Sequence, residues 1–239
     1  MKSKYRTYIF ISVEVVLYLT FLYFDIQNAL NEGSEFKYVN IIKYISIFLC
    51  FLFSLAEGIL RNHLSVLTFA LGFSAIADIF LIFTSYFSIG IFFFICVQTC
   101  YRYILSGKKG VFKMYVFCFI VCAISYTILI ILNLSVNITT MIAIFYSCFL
   151  ICNVIKACLK AFTSNQTSLT IFCAGIILLF LCDINVGLYN SKAIFNYDFS
   201  FIPSFFIEFS TIGMWLFYLP SQIIMALLSL KPVHFSFYK

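Results

Sequence analysis

Apolar runs of about 18 to 24 residues, each long enough to cross a bilayer, follow one another along this chain. No connection between them exceeds roughly twenty residues, so nothing remains from which to build a soluble domain. Of the 239 residues, 64% are hydrophobic and 10% are charged, where a soluble domain carries about 25% charged residues. The chain is therefore expected to be an all-α, polytopic integral membrane protein.

Eight runs are delimited, at about Tyr8–Phe24, Val39–Leu60, Leu64–Phe83, Phe87–Leu105, Val111–Leu132, Val136–Leu159, Ser168–Tyr189 and Glu208–Leu230. They are read as one eight-helix domain over residues 1–239. The basic start Lys2, Lys4, Arg6 is that of a signal peptide, but no small-residue cleavage site follows, which predicts a retained first helix. Orientation follows from Lys and Arg. One side of the membrane receives Lys2, Lys4, Arg6, Arg61, Arg102, Lys108, Lys109, Lys113, Lys156, Lys160, Lys231 and Lys239, and the other only Lys37, Lys43 and Lys192. Both termini are thus expected in the cytoplasm, with Asn31 and Asn196 outside. The net charge of +6 reports that orientation and implies no nucleic acid partner. Abundant Phe, Ile, Tyr, Asn and Lys favour an AT-rich, bacterial source and hence the bacterial plasma membrane.

The ten cysteines lie within the apolar runs, and intervals of four (96/100, 118/122, 148/152) repeat along helix faces. They are read as small packing residues, since no pair of Cys-x-x-Cys motifs occurs. No metal or other cofactor is expected.

Two aspartates break the apolar pattern. Asp78 lies in the third run and Asp183 in the seventh, each in the second half of a segment that opens on a glycine, Gly72 or Gly175. A carboxyl at depth in a bilayer costs about 2.5–3.5 kcal/mol even on insertion scales. Counting from the expected outer ends of these runs, at 1.5 Å per residue, puts both roughly 7–9 Å below the outer interface. Lys43, early in the second run, falls at a similar depth. Gln98 and Tyr101 share a face of the fourth run, and Tyr218 and Gln222 share a face of the eighth. Pro220 frees a main-chain carbonyl near Leu216, and Ala70, Ser74 and Ala77 offer a close-approach strip beside Asp78. The spacing of 105 residues between the aspartates, each followed by a helix with a Tyr/Gln pair, hints at a parallel 4+4 repeat.

Three functions fit this constellation. The acids can act as interhelical glue, although glue is usually Ser, Thr, Asn or Gln. They can be ion or proton sites of a transporter, but the two aspartate helices lack the Gly or Pro breaks at mid-membrane that such sites use. Or they can serve an intramembrane enzyme, one carboxyl protonated as general acid and the other ionised as general base. Lys43 would then moderate the pair or hold a lipid phosphate. No Ser/His/Asp triad is available, because His63 and His234 fall at the membrane edge.

Gly72-Phe73-Ser74 leading to Asp78, the Gly175 segment ending in Cys182-Asp183, and Trp215-Leu216-Phe217-Tyr218-Leu219-Pro220-Ser221-Gln222 resemble the YhhN-like family of membrane proteins, which includes the lysoplasmalogenases. The resemblance implies an eight-helix fold and hydrolysis of the vinyl ether bond of lysoplasmalogens, with a lysophospholipid as substrate. It implies catalytic roles for Asp78 and Asp183, and substrate contacts for Lys43, Gln98, Tyr101, Tyr218 and Gln222. Two positions depart from the family: Tyr44 replaces a proline, and Gln98 replaces a histidine. Glutamine cannot titrate, so a lipid-binding member that has kept the fold and lost the activity stays open as an alternative.

Overall fold

A computed structural model describes residues 2–30, 38–132, 136–164, 166–195 and 204–230. Asn31, Lys37, Asn196, Lys231 and Lys239 lie outside them. Among the described residues there are seven helices and no strand: α1 (Lys2–Leu30), α2 (Val39–Leu60), α3 (Val66–Phe83), α4 (Phe87–Ile131), α5 (Ile138–Thr163), α6 (Thr167–Phe195) and α7 (Ser204–Leu228). All seven are long and apolar enough to span a membrane.

Seven replaces eight because the fourth and fifth expected helices form the single element α4. Within it only Gly107 leaves helical geometry, at φ 65° and ψ −174°, a left-handed φ that glycine adopts without a Cβ penalty. The chain turns back at that residue. The hydroxyls of Thr99 and Tyr115 lie 2.7 Å apart across 16 positions, a separation that unbroken helix would stretch to about 24 Å. Both ends of α4 reach the same end of the bundle, where Ser88 meets Thr139 of α5 at 2.7 Å. Two helix starts are capped in sequence-readable ways: the Ser65 hydroxyl accepts from Leu67 N–H, and the Asn137 side-chain Oδ1 accepts from Thr140 N–H.

Among the other ends that differ from expectation, two are C-terminal extensions. α1 continues past Phe24 to Leu30, and α6 continues past Tyr189 to Phe195. The first extension places Asp25 inside a helix.

The bundle is apolar outside and carries its polar groups within. Phe112, Ile131 and Phe162 are exposed, as lipid-facing side chains must be, whereas Glu14, Ser74, Asp78, Gln98 and Gln222 are buried. In chain order the helices pack against their neighbours, and α7 also touches α1, α2 and α3. α7 is therefore the element through which the candidate site is assembled. Its contact with α6 is close: a Cβ on Gly175 would come 2.7 Å from the Met225 methyl, and the Ser221 hydroxyl donates to the Gly175 carbonyl at 2.8 Å. Pro220 cannot bond the carbonyl of Leu216, and the Tyr18 hydroxyl of α1 donates to that oxygen instead, at 2.8 Å. Toward the opposite end of α2 from Lys43, Glu57 accepts from Arg6 at 2.5 Å and pairs with Arg61 at 2.9 Å.

Candidate functional site

Each aspartate is held by a tyrosine from another helix. Asp78 of α3 is buried and accepts a 2.8 Å hydrogen bond from the Tyr218 hydroxyl of α7. Asp183 of α6 accepts a 2.5 Å bond from the Tyr146 hydroxyl of α5. The Phe94 ring of α4 stands between the two phenols, 6.0 Å from Tyr146 and 6.2 Å from Tyr218. Five helices, α3 to α7, thus contribute to one interior region.

A second polar layer lies one helical turn along the bundle. Ser74 precedes Asp78 by one turn and Gln222 follows Tyr218 by one turn. Since α3 and α7 run antiparallel and are bonded at 78 and 218, these two residues fall at one level. Ser74 Oγ and both amide atoms of Gln222 are buried without a protein hydrogen-bond partner. On α4, Gln98 accepts 2.9 Å bonds from Asn153 of α5 at both its main-chain and side-chain oxygens. Tyr101, fully buried, packs edge-on to Phe172 at 5.6 Å, and its hydroxyl has no protein partner. Buried polar atoms are rarely left unpaired in native structures, so this layer is suited to water or to a polar part of a ligand.

Lys43 is expected either to moderate the two aspartates or to hold a lipid phosphate; its ammonium bonds Asp25 of α1 at 2.7 Å and sits 5.1 Å from the Trp215 ring centroid. The cause is the longer α1, which brings a carboxyl across from Lys43. Trp215 in turn packs on Tyr218, ring centroids 5.4 Å apart, so Lys43 adjoins the region of Asp78 through aromatic contacts. Of the seven residues singled out in the sequence, Asp78 and Tyr218 are bonded and Gln222 lies a turn away. Asp183 is bonded to Tyr146, a residue outside that set.

Asp25, Tyr146 and Asn153 had escaped the sequence reading. Asp25 sits just beyond an apolar run and reads as loop. Tyr146 and Asn153 carry a faint signal, since seven residues apart they share a helix face, but one tyrosine among 16 in the chain attracts no notice. Glu14, buried in mid-α1, accepts from the Cys50 thiol at 3.7 Å.

The fold and site define a class: a helical integral membrane protein whose interior carries hydrogen-bonded carboxyls and apolar walls. More narrowly, the chain belongs to the YhhN family, the lysoplasmalogenase family, whose model matches residues 39–229. The match spans α2 through α7 and begins after α1. No curated protein and no solved structure matches the chain.

Proposed function

We propose that this protein is an intramembrane hydrolase that cleaves the vinyl ether bond of lysoplasmalogens, releasing a fatty aldehyde and a glycerophospho-head group. The observation that supports this most is the pair of carboxyls, each fixed by a tyrosine hydroxyl around Phe94. Vinyl ether hydrolysis begins with proton transfer to the carbon beta to oxygen, which leaves an oxocarbenium ion. Water then adds to the carbon alpha to oxygen and loses a proton, and the resulting hemiacetal collapses to aldehyde and glycerol hydroxyl. One aspartate donates the first proton. The other, ionised, stabilises the cation and takes the proton from water. Tyr146 and Tyr218 orient the carboxyls, and the layer of Ser74, Tyr101 and Gln222 is placed to hold the water. Neither a nucleophilic side chain nor a carbonyl is needed.

The topology that accompanies this reading has eight crossings, the two arms of α4 counting separately about Gly107. Both termini then lie on the Lys- and Arg-rich side, the cytoplasmic face of a bacterial plasma membrane, and the aspartates lie toward the outer leaflet. The test is incubation of purified protein with lysoplasmenyl-ethanolamine. Aldehyde release is expected, and none from a folded protein would refute the proposal.

A further inference from the structure

The ion pair of Lys43 and Asp25 takes no part in the acid–base scheme, yet it is almost withdrawn from solvent, with side chains 8% and 10% exposed. If it served only to hold α1 on α2 it would be a poor choice, since apolar residues of similar volume usually do as well. Its surroundings point to a ligand. Asp25 spends only Oδ1 on Lys43, and its buried Oδ2 has no hydrogen-bond partner. Asn28 stands three residues further along α1, on the same face, and its Oδ1 is likewise buried and unpartnered. On the other flank the ammonium of Lys43 rests over the Trp215 ring. The cluster therefore offers two acceptors in want of N–H donors, one ammonium and an aromatic face.

That set is selective. Its two charges cancel, so it complements a zwitterion, whereas a purely anionic ligand would meet Asp25 with repulsion. A phosphate suits Lys43. The two free acceptors suit a primary ammonium, which carries three N–H donors, and give nothing to a trimethylammonium, which carries none. The position fits as well. From the ion pair the contacts run through Trp215 to Tyr218 and its bond to Asp78, the order of head group, glycerol and ether in a lysolipid.

We propose that Asp25, Asn28, Lys43 and Trp215 form a head-group subsite for lysolipids bearing phosphoethanolamine, Lys43 taking the phosphate and the two α1 oxygens taking the ammonium. This deepens the lysolipid reading above and rests on it for the placement of the ether. Asp25 and Asn28 precede the span 39–229 that the family model matches, so the selectivity is carried by this chain's own α1.

Trp215 is the chain's one tryptophan, and its emission reports occupancy without a label. The full-length protein in detergent is titrated with ester-linked lysophosphatidyl-ethanolamine, -choline and -glycerol, and with free phosphoethanolamine. The ethanolamine lysolipid is expected to saturate the change in emission at a concentration about tenfold or more below the other two lipids, the worth of a hydrogen bond to a charged group. Free phosphoethanolamine should not saturate in that range, which identifies the lipid as the source. Asn28→Ala, which leaves the ion pair intact, should abolish the preference while helix content stays unchanged. Asp25→Asn should do the same at some cost in stability. Equal response to all three lipids, saturation by the free head group at lysolipid concentrations, or a preference undiminished in Asn28→Ala would overturn the subsite. Because these lipids carry an ester in place of the vinyl ether, the titration reads binding alone. A protein that prefers ethanolamine lipids yet releases no aldehyde would refute the hydrolase reading and leave the subsite standing.

Discussion

Tyr18 on α1 donates a 2.8 Å hydrogen bond to the main-chain oxygen of Leu216 on α7, the acceptor left without an N–H by Pro220 four residues on. A helix with an internal proline is tolerated in a membrane when a neighbour satisfies the freed carbonyl, and here the neighbour is a phenol. Tyr18→Phe removes the donor and keeps the ring that packs on Phe21 at 5.5 Å. The expected loss is about 1 kcal/mol, the low end of the cost of orphaning an acceptor, because this bond is part-buried. Thermal unfolding in detergent checks this, with Tyr23→Phe at an exposed position as the control that should not move.

Gly107 carries a different kind of constraint. At φ 65° and ψ −174° the backbone lies in a region open essentially to glycine alone, so Gly107→Val and Gly107→Asn should each cost about 1–3 kcal/mol. Reporter fusions test the accompanying topology. Fusions at Lys109 and at the N-terminus should report the same side, and fusions at Asn31 and Asn196 the other.

The Lys43–Asp25 pair predicts non-additivity. Either single change, Lys43→Met or Asp25→Leu, leaves a buried charge alone and should cost about 3–5 kcal/mol. The double variant should recover most of that loss. Additive losses in an unfolding series would mean that the two side chains are not paired in the membrane.

Tyr146 and Tyr218 should matter to rate more than to stability if they orient reacting carboxyls. Removing a hydrogen bond to a charged group is worth about 1.5–3 kcal/mol, so Tyr146→Phe and Tyr218→Phe should each slow aldehyde release about 10- to 100-fold. A purely structural role would lower the unfolding temperature and leave the turnover of the folded fraction unchanged.

Most of the scaffold was legible in the sequence because a bilayer demands long apolar helices and says so in composition. Val39–Leu60 was delimited as the structure has it, and Pro220 pointed to the carbonyl that Tyr18 bonds. What stayed hidden was partnership across helices. Asp78 and Asp183 stood out as charges in apolar surroundings, but nothing in a single sequence assigns Tyr218 to one and Tyr146 to the other. Lys43 stands out too, but its ion-pair partner Asp25 reads as loop until α1 is known to run on to Leu30. The break expected between Leu105 and Val111 was in the right place but narrower, because one glycine at a left-handed φ suffices to reverse the chain.

The central claim is that Asp78 and Asp183 act as a general acid and general base on a vinyl ether. Asn is nearly isosteric with Asp and still accepts a hydrogen bond from tyrosine, but it neither delivers an acid proton nor ionises. The decisive measurement is the rate of aldehyde release from lysoplasmenyl-ethanolamine by wild type, Asp78→Asn, Asp183→Asn and the double variant, beside the matching ester lysolipid. Wild type is predicted to cleave the vinyl ether and spare the ester. Each single variant should stay folded and lose about 10²–10⁴-fold, and the double variant should be little worse than either, as groups acting together are not additive. Folded Asn variants that release aldehyde at the wild-type rate would contradict the account. So would folded wild-type protein that is inert on the vinyl ether, or an aspartate-dependent ion flux with no lipid product.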